Sequence, residues 1–326
     1  MSEVAVIGAG LAGLVAAREL QERGLSVVVF DKGRGPGGRI STRRADPFRF
    51  DHGAQYFTAR DPGFRRRVDD WIERGVAARW DGTIVALEPG HGPEPVSGGV
   101  DRFVGVPGMN AIAKDLALSL DVRCGVRVAP LVRRDERWHL RSDDDRELGS
   151  FDQIVITAPP EQAAELIGET SPLAESARRI RMQPCWAVLV GLDSSVPVPF
   201  DGAFCNESSL SWIARDSSKP GRPAGEAWVL HASPSWTAAH VDMDRATVAD
   251  ELCAEFSKLT GVVFEDVVHV AAHRWLYSRP EPQAPEVSTW DEVRRLALAG
   301  DGTSGGRVEG AVLSGERAAA RIAGRS

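Results

Sequence analysis

The feature that most restricts how this chain can fold lies at its start. Val4 to Ile7 is a short apolar run that leads directly into Gly8-Ala9-Gly10-Leu11-Ala12-Gly13. Leu14 to Leu20 then reads as an amphipathic helix, and Ser26 to Phe30 as a second, β-branched strand ending at Asp31. Strand, glycine turn, helix, strand and acid follow in the order of a dinucleotide-binding βαβ unit. Gly8 permits the tight turn, Gly10 lets backbone N–H groups approach a pyrophosphate, and Gly13 lets the helix pack closely on the strand. The helix N-terminus, with Leu11 and Ala12 in the turn before it, faces the phosphates with its positive dipole end. Asp31 lies near the spacing of ~20 residues at which an acid accepts ribose hydroxyls, and an acid there disfavours a 2′-phosphate.

Composition excludes several other classes. A net charge of −7 over 326 residues leaves no basic footprint for nucleic acid or an anionic membrane. No apolar run approaches the ~18 residues of a membrane span. The first apolar stretch follows Glu3 and is broken by glycine, so it reads as a strand rather than a leader. Cys124, Cys185, Cys205 and Cys253 form no C-x-x-C pair, which fits reduced thiols in a cytoplasmic protein and offers no metal centre. His269 and His273 are four apart in a strand-like run without a third ligand, and read as sheet histidines.

Further along, Gly37-Gly38-Arg39 forms a glycine-rich loop beside the phosphate site, and Asp152 to Ala158 reads as a strand buried in a parallel sheet. Ala187 to Leu192, Leu210 to Ala214 and Ala227 to His231 suggest a second, largely antiparallel sheet. Leu296 to Ala299 is a buried strand, Gly300-Asp301-Gly302 a turn, and Gly310 to Ile322 a helix, so the end of the chain returns to the nucleotide domain. The expected fold is α/β: a discontinuous Rossmann-like domain of residues 1–60, 100–165 and 270–326, with a substrate or cap domain of residues 61–99 and 166–269.

FAD fits this arrangement better than NAD. Its ribityl chain and isoalloxazine ring need contacts beyond the pyrophosphate. Arg39 with the open amides of Gly38 offers them to the phosphates, and Asp301 to a ribityl hydroxyl. The helix after Gly310 aims its N-terminus at the ring.

These segments, with the block Phe50-Asp51-His52-Gly53-Ala54-Gln55-Tyr56-Phe57-Thr58, resemble the flavin amine-oxidase superfamily. Within it the chain is most similar to the renalases, through Gly37-Gly38-Arg39-Ile40-Ser41-Thr42, Gly53 to Thr58 and His273-Arg274-Trp275. The resemblance implies a p-hydroxybenzoate-hydroxylase-like two-domain fold and non-covalent FAD. It also implies oxidation of misreduced nicotinamide dinucleotides, the 2- and 6-dihydro isomers, with oxygen reduced to hydrogen peroxide. Carried over by position, Ala12, Asp31, Lys32, Arg39, Gln55, Tyr56, Val128, Asp301 and Val308 would hold FAD. Phe57, Thr58, Ala59, Arg60 and Arg307 would meet substrate.

Hydride transfer from a dihydropyridine removes no proton from carbon, so no catalytic general base is expected. Oxidation of an amine, or a related desaturation, is the alternative; such enzymes commonly use a lysine and an aromatic cage. This chain has four lysines and two tyrosines, Tyr56 and Tyr277, and no lysine between Ala271 and Pro285. A non-enzymatic flavin or nucleotide redox sensor is a further alternative.

Overall fold

The computed structural model describes residues 2–96 and 99–324. Glu3–Ile7 is the central strand of a six-stranded sheet, paired in parallel with Ser26–Asp31 on one side and Gln153–Ile156 on the other. Val6 therefore lies between Val29 and Val155, and all three are fully buried, as expected of strands covered on both faces. Asp121–Cys124 extends one edge. On the other side Leu296–Leu298 pairs in parallel with Gln153–Ile156, which brings the C-terminal segment back to the nucleotide sheet. Helix Val308–Ile322 then lies on helix Leu11–Glu22. Their approach is so close that a Cβ on Gly315 would stand 2.4 Å from the Ala12 carbonyl oxygen.

The second sheet has seven strands, in the order Val267–Pro280, Met182–Leu192, Glu226–Ala232, Leu210–Arg215, Gly202–Cys205, Ile84–Leu87 and Glu94–Pro95. All of its pairings are antiparallel except that of Gly202–Cys205 with Ile84–Leu87. One face packs on helix Arg245–Thr260 through Trp228, Leu230, Leu252 and Phe256. The other looks towards the nucleotide domain.

Two segments sit differently from the sequence reading. Strand Val267–Pro280 belongs wholly to the second sheet, so a boundary at residue 270 falls inside it. Helix Pro62–Glu73 packs Phe64, Val68 and Trp71 into the core shared with Leu14 and Val15 of the nucleotide domain. Apolar spacing identifies the buried face of a helix, but the sheet which that face covers is a tertiary choice.

Candidate functional site

A cavity of about 880 Å³ is bounded by both sheets and by the C-terminal turn. The nucleotide side contributes Gly8, Gly10, Leu11, Ala12, Asp31 and Lys32, followed by Gly38, Arg39 and Val128. The C-terminal turn adds Gly300, Asp301, Arg307 and Val308.

The glycines of the first turn answer to different neighbours. A Cβ on Gly8 would meet Thr157 Oγ1 at 2.4 Å, and one on Gly13 would meet the Gly8 carbonyl oxygen at 2.0 Å. Both are glycine because the protein packs against them. Gly10 is different: its φ of −74° suits any residue, and a Cβ there would meet nothing within 4 Å. No side chain caps the helix at Gly10 either. A bare helix N-terminus behind a position that the protein leaves open is the cradle a pyrophosphate needs.

The acids around this cradle are already organised. Asp31 accepts the Ala9 and Gly33 N–H groups, each at 2.6 Å, so its carboxylate fastens the glycine turn to the end of the second strand. Arg39 donates to both carboxylate oxygens of Asp301, at 3.0 and 2.5 Å, and to the Ser278 carbonyl at 3.0 Å. Loop 37–39 is thereby tied to the C-terminal turn and to the second sheet at once. Lys32 donates to Gln162 Oε1 at 2.8 Å, and burial lowers its pKa.

The block after Asp51 behaves otherwise than its resemblance implies. Of its residues only Gly53 and Ala54 form cavity wall. Gln55 is buried and donates to the Asp51 carbonyl, and Tyr56 packs between Trp80 and Trp212. Phe57 pairs with Phe103 and turns its ring into a cluster with Phe64, Trp71 and Phe103. Thr58, Ala59 and Arg60 lie off the wall, and the Arg60 N–H is held by Glu309 Oε1 at 2.6 Å. The backbone pairing to Phe103 sets which way Phe57 faces and directs its ring into the core, while Arg60 is exposed.

The opposite wall comes from the second sheet: Cys185, His231, Trp275, Leu276, Tyr277 and Arg279. Trp275 stands in the His273-Arg274-Trp275 run and Tyr277 is one of the two tyrosines, but no motif marks Cys185, His231 or Arg279. His231 Nε2 and Trp275 Nε1 both meet the His52 carbonyl oxygen, at 3.1 and 2.9 Å. The His52 ring packs edge-on against His273 and tilted against Trp275. Burial lowers these imidazoles, His52 to about 3 and both His231 and His273 to about 4, so all three are neutral near pH 7. Burial also pushes the Cys185 thiol up to about 12, which keeps it protonated and unreactive.

Behind this wall lies a sealed group of four charges. Lys219 contacts Asp216 and stands 3.6 Å from Asp51, while Arg222 contacts Asp51 and lies 3.8 Å from Asp216. Lys219 also donates to Gln55 Oε1 at 3.0 Å. All four charged ends are buried and their formal charges sum to zero, while burial raises the Asp216 pKa. Burial works against the Asp51 anion, yet Lys219, Arg222 and bonds from Thr42 and the Met109 N–H hold its pKa below the usual range.

A Rossmann-type cradle facing a mainly antiparallel sheet across one large cavity defines a flavin-dependent oxidoreductase. The profile of the NAD(P)-binding Rossmann-like domain matches residues 6–71, and that of flavin containing amine oxidoreductase matches residues 94–323. The chain belongs to this flavin-containing amine oxidoreductase family, and its cofactor is non-covalent FAD. Among solved structures it is similar to a candidate protoporphyrinogen oxidase from Exiguobacterium sp. 255-15, with a TM-score of 0.80 and 16% identity over 98% of both chains. It is also similar to the cyclohexylamine oxidase of Brevibacterium oxydans IH-35A, with a TM-score of 0.79 and 15% identity over 99% of both chains. Curated relatives include the zeta-carotene-forming phytoene desaturase of Myxococcus xanthus, 36% identical over 75 residues, or 21% of this chain and 14% of the relative. Protoporphyrinogen oxidase 2 of Arabidopsis thaliana is 39% identical over 67 residues, or 21% of this chain and 13% of the relative. The matches therefore span about a seventh of these relatives. Among the described residues no helix is long and apolar enough to cross a membrane.

Proposed function

We propose that this chain oxidises misreduced nicotinamide dinucleotides, the 2- or 6-dihydro isomers of NAD(P)H. In the overall reaction the dihydronicotinamide, O2 and a proton give the nicotinamide cation and H2O2. FAD, held by the glycine turn, Asp31, Arg39 and Asp301, supplies the hydride acceptor and the route to oxygen.

The observation that carries this reading is a pair of cationic side chains on the cavity lining, one on the second-sheet wall and one on the C-terminal turn. Arg279 and Arg307 line the cavity, and neither has an ion-pair partner among the described residues. Arg279 donates only to Gln183 Oε1, at 3.1 Å. Two uncompensated guanidinium groups attract a phosphate-bearing substrate and repel an ammonium ion. The lysines point the same way: Lys219 is sealed among the four charges, Lys32 lies with the nucleotide strand, and Lys114 and Lys258 are on the outer surface. None borders the second-sheet wall. Trp275 and Tyr277 offer flat faces against which a dihydropyridine can be oriented. Restored aromaticity in the product drives the transfer, so the wall needs only to bind and orient the ring, and no proton has to be taken from carbon.

The test is anaerobic mixing of the yellow protein with 2- and 6-dihydroNAD, ordinary 4-dihydroNADH and a panel of primary and secondary amines, followed by flavin absorbance. Rapid bleaching by a 2- or 6-dihydro isomer, with none by amines, supports the reading. Bleaching by amines alone overturns it.

A further inference from the structure

His231 stands on the cavity wall in strand Glu226–Ala232, paired across to Ala187 of the neighbouring strand. Its two ring nitrogens are used unequally. Nε2 is committed to the His52 carbonyl oxygen at 3.1 Å, and a carbonyl only accepts, so Nε2 carries the proton. The same oxygen takes the Trp275 indole N–H at 2.9 Å, which fixes it from a second strand. Nδ1 makes no hydrogen bond among the described residues and is not among their fully occluded polar atoms. The neutral ring therefore presents one unshared lone pair, in a tautomer locked from behind.

A locked acceptor on this wall is selective. Arg279 and Arg307 attract anions anywhere on a substrate, whereas an imidazole lone pair rejects a carboxylate and accepts only an N–H or O–H. We propose that Nδ1 of His231 accepts a hydrogen bond from the carboxamide NH2 of the substrate's dihydronicotinamide ring, and so selects the amide over the corresponding acid. This rests on the dinucleotide reading above and adds the group that reads the ring. No covalent step is involved; His231 is a specificity-determining contact.

The experiment compares two reductants that differ only at that group, 2-dihydroNAD and its deamido analogue with a carboxylate in place of the carboxamide. Anaerobic flavin bleaching gives the half-saturation concentration of each, for wild type, His231→Leu and His231→Asn, with FAD content recorded for every preparation. The wild type is expected to prefer the amide by about 10- to 100-fold, the effect of one lost hydrogen bond with a lone pair set against a carboxylate. In His231→Leu the preference should fall to about threefold or less, because the acceptor is gone. His231→Asn can present an amide oxygen near the position of Nδ1 and should recover part of it. A wild type that treats the two compounds alike overturns the proposal without recourse to any variant. An unchanged preference in a flavin-loaded His231→Leu overturns it too. If neither compound bleaches the wild type while an amine does, the dinucleotide reading itself has failed and this contact falls with it.

Discussion

Gly10 and Gly13 stand in the same turn, yet they should fail in opposite ways when each is replaced by alanine. At Gly13 the new methyl would lie 2.0 Å from the Gly8 carbonyl oxygen and 2.8 Å from Thr157 Oγ1, in a core with no slack. Overpacking against backbone of this kind costs about 3 kcal/mol, and the apoprotein should lose that stability. At Gly10 the backbone lies at φ −74° and ψ 178°, which alanine adopts freely, and the methyl meets nothing within 4 Å. Alanine gains about 0.4–1 kcal/mol by restricting the unfolded chain and gives back a similar amount as a poorer helix N-cap. The apoprotein of Gly10→Ala should therefore unfold within about 1 kcal/mol of wild type. Its methyl instead occupies the pyrophosphate's place. Loss of two charge-assisted N–H bonds, at about 1.5–3 kcal/mol each, weakens FAD binding roughly 10²- to 10⁴-fold. Urea unfolding of the apoproteins and FAD titration by quenching of flavin fluorescence measure the two quantities separately. If Gly10→Ala binds FAD like wild type, the cradle is not where the pyrophosphate lies. If it unfolds as easily as Gly13→Ala, the distinction between the two glycines is false.

Other perturbations test the C-terminal turn, the seam and the buried imidazoles. Arg307→Met should keep FAD and its spectrum while the anaerobic half-saturation concentration for the dihydro isomer rises about 10- to 100-fold; unchanged saturation returns Arg307 to the general surface. Lys219→Met leaves Asp51 and Asp216 buried with one cation between them, and should cost about 3–5 kcal/mol in urea unfolding. A near-neutral result would show that the remaining pair rearranges without cost. Stability should also fall as pH is lowered below about 6.5. His52, His231 and His273 have folded pKa values of about 3, 4 and 4, below the unfolded value, so the unfolded chain binds the protons that the folded one refuses. Each adds up to ~1.4 kcal/mol per pH unit until its folded pKa is reached, and urea midpoints that stay flat from about pH 7 to about pH 5 would contradict that burial.

The nucleotide half was legible because its determinants are local. Six consecutive residues specify the turn, and the acid that fastens it follows one helix and one strand later. The second-sheet wall has no such compactness. Cys185, His231 and Trp275 come from three strands, and they share one wall only because Ala187 pairs with both His231 and His273, while Cys185 pairs with Trp275. That register includes an irregularity between Gln183 and Cys185, which no alternation pattern reveals. The four buried charges were hidden for a similar reason: Asp51 sits in a recognisable block, while Lys219 and Arg222 lie far along the chain in a segment that reads as a polar turn. Phe57 was misleading in another way. Its place in the block is plain from sequence, but its direction depends on the pairing with Phe103.

The block from Phe50 to Thr58 accordingly has a different physical role from the one its prominence suggests. Its side chains serve the seam between the halves: Asp51 enters the four-charge group, and Gln55 bonds Lys219. Its backbone serves the cavity. The His52 carbonyl receives the ring N–H groups that orient His231 and Trp275, and Gly53 and Ala54 form wall. Gly53 fits only because it lacks a side chain, since a Cβ would stand 2.0 Å from the Arg39 carbonyl oxygen. That same oxygen accepts the Ala54 N–H at 2.9 Å, and the Arg39 side chain reaches Asp301. One short segment thus sets the spacing between the phosphate loop, the C-terminal turn and the opposite sheet, whatever molecule enters. A frame of this kind can be shared by oxidoreductases with unrelated substrates, and so the block identifies the fold strongly. The substrate has to be read from the side chains that the second sheet turns towards it, above all His231 and Arg279.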